Sequence, residues 1–538
     1  MTRVLICANI YTLNPQQPHA TAIVIDGERI LRLGARQEIL AEFAGNGHRV
    51  EILDARHQTL IPGLIDAHFH LEQYALAQQM VDCETPTRAE CERRVAERAQ
   101  QMPPGEWVLG HGWNQNDWPE GFGNNTDLDA VSPKNPVYLT AKSLHAAWTN
   151  SLALEAAGIG AHTSDPPRGR IGRNEHGEAN GILFEGAMEL VQQALPEPTP
   201  QHVAQAIRDV LPKLARMGLT GLHDFDRRRC FSALQILHQR EELTLRVVKS
   251  IPLEDLPYAA ALGLRTGFGD LYLRIGGIKA FADGALGPRT AAMVQPYEGE
   301  VDNRGMLLLD SEELFEQGRM AIDNGLCIAV HAIGDRANHE VLNAFTQLRA
   351  YEKEQNTTHS FPRFPLRHRI EHVQVIHPDD TRRLAELGIV ASMQPIHATS
   401  DMLMADKYWG SRAALAYAWR TQLEHGATLA FGSDAPVESP NPFWGLHAAV
   451  TRRRPDGSPG PQGWYPAQKL TISDALLGFT SGPAYASTLE NQLGKLMPGF
   501  LADLTILDND PFRCDPVTIK EIRPLATMVG GKWIFREV

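Results

Sequence analysis

LIPGLIDAHFH, residues 60–70, is the stretch from which the fold is read. An apolar run ends abruptly in His68 and His70, and residues two apart on a strand project to the same side. Two imidazoles placed this way at the end of a buried strand can reach one divalent ion. Short apolar runs of the same kind recur along the chain. They are GLTGLHDF (218–225), LRVVKSI (245–251), LRIGGIKAFAD (273–283), LCIAVHAIGD (326–335), RHRIEHVQ (367–374), GIVASMQPIH (388–397) and TLAFGSDAPV (428–437). Amphipathic stretches such as HEVLNAFTQLRAYEKEQ (339–355) alternate with these runs. That rhythm predicts parallel βα units, and eight of them close a (β/α)8 TIM barrel, so the fold class is α/β.

The barrel is expected over 60–484. Before it, VLICANIYTL, TAIVIDGERILRLG and VEILDARHQTL alternate β-rich runs with turn signals, and LGKLMPGFLADLTILD and TMVGGKWIF near the other end have the same character. Residues 1–59 and 485–538 are therefore expected to complete one composite β-sandwich domain, burying the apolar faces of both ends together. Residues 72–217 are far too many for one crossover helix, and predict a subdomain inserted after the first barrel strand, near the barrel mouth.

Hydrophobic residues make up 43% and charged residues 21%, which suits a globular chain with a sizeable core rather than a disordered one. The formal charge of −13 argues against a nucleic-acid surface or an anionic-membrane surface. Cys7, Cys83, Cys91, Cys230, Cys327 and Cys514 are scattered, without the close spacing of a zinc knuckle or redox pair, as in a reducing cytosol. The first residues lack the pattern of a secretory signal, and no apolar run reaches the roughly 20 residues of a membrane span. A soluble, cytoplasmic protein with a small-molecule substrate is the expectation.

Polar residues gather at the carboxyl ends of the apolar strands, where an ordinary core has no use for them. Lys279 lies in the fourth strand, His331 in the fifth, His372 in the sixth and Asp434 in the eighth. With His68 and His70 they would converge on the catalytic face of a barrel. Singly, each histidine reads equally as a hydrogen-bonded core residue, and Asp434 as a turn residue. Together, at equivalent heights on separate strands, they read as one site. Lys279 between Ile278 and Ala280 is the most informative, because a buried ammonium must pair, for instance with Asp283, shed its proton or react. A neutral amine there can capture carbon dioxide as a carbamate able to bridge two cations about 3.5–4 Å apart.

PGLIDAHFH (62–70), IKAFADGALGPRTA (278–291), HAIGDRA (331–337), RIEHVQ (369–374) and GSDAPV (432–437) together resemble the amidohydrolase superfamily, and within it the amidohydrolase family 3 branch. GWNQNDW (112–118), LHAAWTNSLALEAAGI (144–159) and GKLMPGFLADLTILD (494–508) extend the likeness over nearly the whole chain. The resemblance implies a barrel flanked by a composite β domain. It implies His68, His70 and Asp434 on one metal, His331 and His372 on the other, and carboxylated Lys279 bridging them. Zinc is the expected metal, as two ions or one, and a homodimer is compatible with the family.

The activity implied is hydrolysis of an amide, N-substituted formamide or cyclic amide by a metal-activated hydroxide, with Asp434 taking the proton and returning it to the leaving nitrogen. Asp283, Arg289 and His397, which follow barrel strands, and Trp113 and His145, in the insertion, are the candidate substrate contacts. His223, ending the second strand, could line the pocket or cap the barrel. A mononuclear deaminase is the first alternative, although the position three residues after His331, where such relatives carry an acid, is Gly334, with Asp335 one place later. Ester or lactone hydrolysis would use the same metals. A non-catalytic binding or regulatory protein would be marked by lost ligands, and none is lost.

Overall fold

The computed structural model describes residues 3–43, 50–115, 118–141, 146–166, 169–358 and 366–538. Its central sheet is parallel, with strands in chain order: β1 (Leu64–Phe69), β2 (Leu219–Asp224), β3 (Arg246–Pro252), β4 (Leu273–Phe281), β5 (Cys327–Ala332), β6 (Arg369–His372), β7 (Val390–Met393) and β8 (Leu429–Phe431). Every residue of β1, β2, β6, β7 and β8 is buried, as strands covered on both faces must be. The ring closes between the carboxyl ends of β8 and β1. There the Asp434 N–H donates to the His68 carbonyl at 2.8 Å and the His70 N–H to the Ala435 carbonyl at 2.9 Å. Closure of the (β/α)8 barrel therefore sets Asp434 against the two histidines through backbone bonds.

The first expected strand divides in two. Leu60–Pro62 finish a long strand, Val50–Pro62, of a different sheet, and Gly63 makes the passage into β1. A Cβ on Gly63 would lie 2.3 Å from Cγ2 and 2.5 Å from Oγ1 of Thr220, whose hydroxyl donates to the Leu64 carbonyl. Gly63→Ala is expected to destabilise the protein by about 1–3 kcal/mol through overpacking. Adding Thr220→Gly should recover part of that loss, and urea midpoints of the two variants check it.

The chain ends form one mixed seven-stranded sheet. In spatial order it runs Lys532–Arg536, Pro524–Val529, Leu504–Leu507, Val50–Pro62, Arg3–Tyr11, His19–Asp26, Arg29–Gly34. The sheet curls until its far parts meet: the Ala502 N–H donates to the Glu28 carbonyl at 2.8 Å. Ile6, Ile23, Leu60, Ile506 and Met528 consequently share one apolar core, so a single folded sheet forms the composite sandwich. A buried bidentate pair, Arg246 with Asp503 at 2.7 and 2.8 Å, ties the start of β3 to this sheet.

The inserted unit, Ala75–His202, lies within residues 72–217. Helix α1 (Pro200–Arg216), which fell within the expected insertion, serves the barrel from Val203 onward. Its buried stripe of Val203, Ile207, Val210, Leu211 and Leu214 has the spacing of a helix covering a sheet. The insertion has its own six-stranded sheet and its own core around Trp113, Trp118 and Trp148. This corrects the expectation that Trp113 contacts substrate: its side chain is 1% exposed and its indole N–H is satisfied by the Leu139 carbonyl at 2.8 Å. His145 lies outside the described residues. Among the described residues no helix is long and apolar enough to cross a membrane.

Candidate metal centre

His68 and His70 leave the end of β1 on one side and converge on one atom. His68 Nε2 is 3.5 Å and His70 Nε2 3.4 Å from Asp434 Oδ1. Metal–ligand bonds of about 2.0–2.1 Å at tetrahedral angles put donor atoms ~3.3 Å apart. The spacing of these three donors is therefore that of ligands around a zinc-sized ion. The His331 and His372 rings lie 4.5 Å apart and the His68 and His372 rings 4.9 Å apart, so the four histidines form a continuous wall. His372 (φ 77) and Asp434 (φ 60) both hold left-handed backbone, which for non-glycine residues costs on the order of 1–3 kcal/mol and is tolerated where the surroundings fix the side chain.

Burial, then the nearby Lys279 charge, holds the His68 imidazole down to about 4 and the His331 imidazole down to about 3. Burial and the neighbouring His331 hold His372 well below its ordinary range. Three neutral imidazoles are thus ready as ligands. For His70 burial is outweighed by bonds to Asp226 and Asp434, which lift it to about 9. Its proton would occupy the place for which a cation competes. Asp434 is held well below the usual carboxylate range, since His68, His397 and His70 together overcome its burial.

Lys279 is fully buried, and among the described residues its Nζ has no hydrogen-bond partner. Its neighbours are the faces of Phe225 at 4.7 Å and Phe281 at 4.9 Å. Burial pushes the amine down to about 8. The ion pair with Asp283, weighed above, is not formed. An orphaned buried amine beside four imidazoles and a carboxylate fits a group that becomes an anionic ligand, and the donor set as a whole fits a divalent metal.

Sequence reasoning missed the carboxylates behind the ligands. Glu371 Oε2 accepts from His68 Nδ1 at 2.6 Å, and Asp226 Oδ1 from His70 Nδ1 at 3.1 Å. Each bond leaves Nε2 facing Asp434. Glu371 is held by Arg369, which also reaches His223 Nδ1 at 2.8 Å, and both sit fully buried inside the barrel. His223 therefore belongs to this support rather than to the pocket lining. Asp66 accepts from the His68 N–H at 3.0 Å and the Ser433 hydroxyl at 2.6 Å, joining β1 to the loop that carries Asp434. Gln394 Oε1 lies 2.8 Å from His372 Nδ1. The signal was in the motifs: Asp66 and Glu371 each stand within two residues of a ligand. Glu371→Gln should weaken divalent-metal affinity by about 10–100-fold. Chelator competition checks this, and an unchanged Kd would remove Glu371 from the site.

Two of the other expected substrate contacts are spoken for. Asp283 is 1% exposed, and its oxygens accept from the N–H groups of Ala292, Ile333 and Gly334 at 2.8–3.0 Å. It pins loops while almost wholly buried, and burial raises it to about 7. The Arg289 guanidinium pairs with Glu300 and lies over Tyr408. His397 is brought to the centre: its Nε2 is 3.3 Å from Asp434 Oδ2. Asp335, the acid weighed for a deaminase, accepts from the Val294 N–H at 2.8 Å. The acidic group of Asp224 and Asp226 behind β2 is internally neutralised, Asp224 by Lys249 at 2.8 Å and Asp226 by His70.

The amidohydrolase family matches residues 51–535. The chain is 32% identical to the protein LONG AFTER FAR-RED 3 of Arabidopsis thaliana over 98% of its own length and 90% of that protein. It is 28% identical to an N-substituted formamide deformylase of Arthrobacter pascens over 98% and 97% of the two chains. A crystal structure of an uncharacterized metal-dependent hydrolase from Pyrococcus furiosus superposes with a TM-score of 0.78 at 28% identity, covering 95% of this chain and 100% of that one.

Proposed function

The chain belongs to the amidohydrolase family, and from that premise we propose that it is a metal-dependent hydrolase of non-peptide carbon–nitrogen bonds, acting on small amides or N-substituted formamides. The reading rests on one observation above the others. Asp434 presents Oδ1 to His68 and His70 while Oδ2 faces His397, so one carboxylate both completes a ligand set and offers an oxygen for a proton. The named similarity to a formamide deformylase supports the choice of bond.

His68, His70 and Asp434 would hold one divalent ion, His331 and His372 a second, with zinc favoured by the imidazole and carboxylate donors. Lys279, as a carbamate, would add an anionic ligand: the amine lone pair attacks the carbon of carbon dioxide, an N–C bond forms as one C=O π bond breaks onto oxygen, and one N–H proton leaves to solvent. The metals, when bound, supply Lewis acidity toward the scissile carbonyl and a water whose pKa falls toward neutrality. Asp434, ionised in the free chain, would hold a proton at Oδ2 and release it to the departing nitrogen. His397 fixes the orientation of the carboxylate, and Glu371 and Asp226 fix the imidazoles, so little reorganisation accompanies the reaction. Phe281, 49% exposed with its ring 5.2 Å from His331, offers an apolar surface for the substituent on the amide nitrogen.

Zinc- or manganese-loaded protein assayed against a panel of N-substituted formamides, acetamides and cyclic amides tests the reading. Turnover that follows metal content is the expected result. Absence of turnover across the panel, with Asp434→Asn behaving identically to the wild type, overturns it.

A further inference from the structure

Beyond the metal centre, cationic side chains crowd a second recess. A cavity of about 260 Å³ is lined by Arg453, Arg454, Lys520, Glu438, His447 and Trp444, among others. Among the described residues the side-chain hydrogen bonds of the two guanidiniums go to backbone carbonyls: Arg453 to Gly457 at 3.1 Å, Arg454 to Thr399 at 2.8 Å and Ser400 at 3.0 Å. Lys520 donates to the Pro455 carbonyl at 2.7 Å and has Glu521, an exposed residue, 4.0 Å away.

The acids on the neighbouring segments, Asp401 and Asp456, feel the Arg454 charge, but their hydrogen bonds go to other groups. Asp401 bonds the Tyr417 hydroxyl, and Asp456 caps its own turn through Ser458. The like charges are close enough to act on one another. Burial, then Lys520 and Arg453, pushes the buried His447 down to about 4, and burial with Arg453 lowers Lys469. Within the recess three cations outnumber the one lining carboxylate, Glu438, an excess that a bound anion would relieve.

We propose that this recess is a binding site for a phosphate-class dianion, free or as the head of a phosphate monoester, gripped by Arg453, Arg454 and Lys520. Three cations against the single carboxylate of Glu438 leave two positive charges, matching the roughly −1.5 to −2 of a phosphate near neutrality. Guanidinium forks suit its oxygens in a bidentate manner, which lysine alone cannot provide. At ~30 Å³ per water the cavity holds the equivalent of about eight waters, room for a phosphate with a short substituent. Trp444, 40% exposed, supplies a face for that substituent.

The recess shares a wall with the metal centre. Glu438 Oε1 is 3.9 Å from His397 Nδ1, and His397 Nε2 is the atom that holds Asp434. An anion held by Arg453 would repel the Glu438 carboxylate and so shift the support of Asp434.

Isothermal titration of inorganic phosphate into metal-loaded protein tests the site. Phosphate can also bind the metals, so the readout is the component that differs between wild type and Arg453→Gln, Lys520→Gln and the double variant. The expected result is a saturable component that weakens at least tenfold in each single variant and vanishes in the double variant. Isotherms that are the same in wild type and all three variants overturn the proposal, and because metal binding is measured separately they leave the hydrolase reading untouched. Lys520→Gln, on a different segment, guards against an arginine variant that does not fold. Where the site is present, phosphate that alters turnover of a phosphate-free amide identifies an effector. A raised KM in Arg453→Gln confined to phosphate-bearing amides identifies a substrate subsite.

Discussion

Asp434→Asn is expected to lower kcat by about 10³-fold or more, within the range lost when a positioned proton carrier is removed. Asparagine has nearly the same shape, so the backbone bonds to His68 and the closure of the barrel should survive. What changes is the chemistry of two atoms. One oxygen becomes an amide NH2 that cannot accept a proton. Whichever way the amide turns, it faces either His397 Nε2 at the former Oδ2 or the two Nε2 atoms at the former Oδ1. The first arrangement removes the proton acceptor, and the second removes a metal ligand. KM should change far less than kcat, and metal content should fall by up to one ion per chain. A loss under tenfold, measured on the best substrate of the amide panel, would show that the proton passes elsewhere.

Lys279→Met should move stability and activity in opposite directions. In the metal-free chain the lysine is a buried amine without a hydrogen bond, and an unsatisfied buried polar group costs about 1–3 kcal/mol. Methionine fills similar space between Phe225 and Phe281 without that cost, so the melting temperature of metal-free protein is expected to rise by about 1–3 °C. In return the carbamate cannot form. Bound metal should drop to one ion or fewer per chain, turnover should fall by at least about 10²-fold, and the acceleration of metal loading by bicarbonate expected for the wild type should disappear. A variant that keeps two metals and full turnover would show that Lys279 is only a core residue.

Much of the candidate site was legible because its residues sit where the strand pattern breaks. His68 and His70 stand out as the polar end of a six-residue buried strand, and Lys279 as a cation inside an apolar one. The supporting groups were not legible, since their partners are remote in sequence. Glu371 lies 303 residues from His68, and Asp226 lies 156 from His70. Asp283 misled for a related reason. It follows a barrel strand as a substrate contact would, yet three backbone amides from distant loops consume its oxygens. Trp113 misled by its neighbourhood, because an aromatic, glycine-rich stretch reads as a lid until its own sheet is seen to bury it.

Alternation of apolar strands with amphipathic helices by itself determined the barrel, and the polar residues that end its strands marked the candidate ligands. These are local properties, set by periodicity and by the cost of burying polar groups without a purpose. Only the tertiary structure decided which nitrogen each imidazole presents, which acids are free and where the cations of the 453–454 segment meet Lys520. Those outcomes depend on which strands close the ring and which loops fold over one another, and a hydrogen bond between residues hundreds of positions apart leaves no periodic trace along the chain.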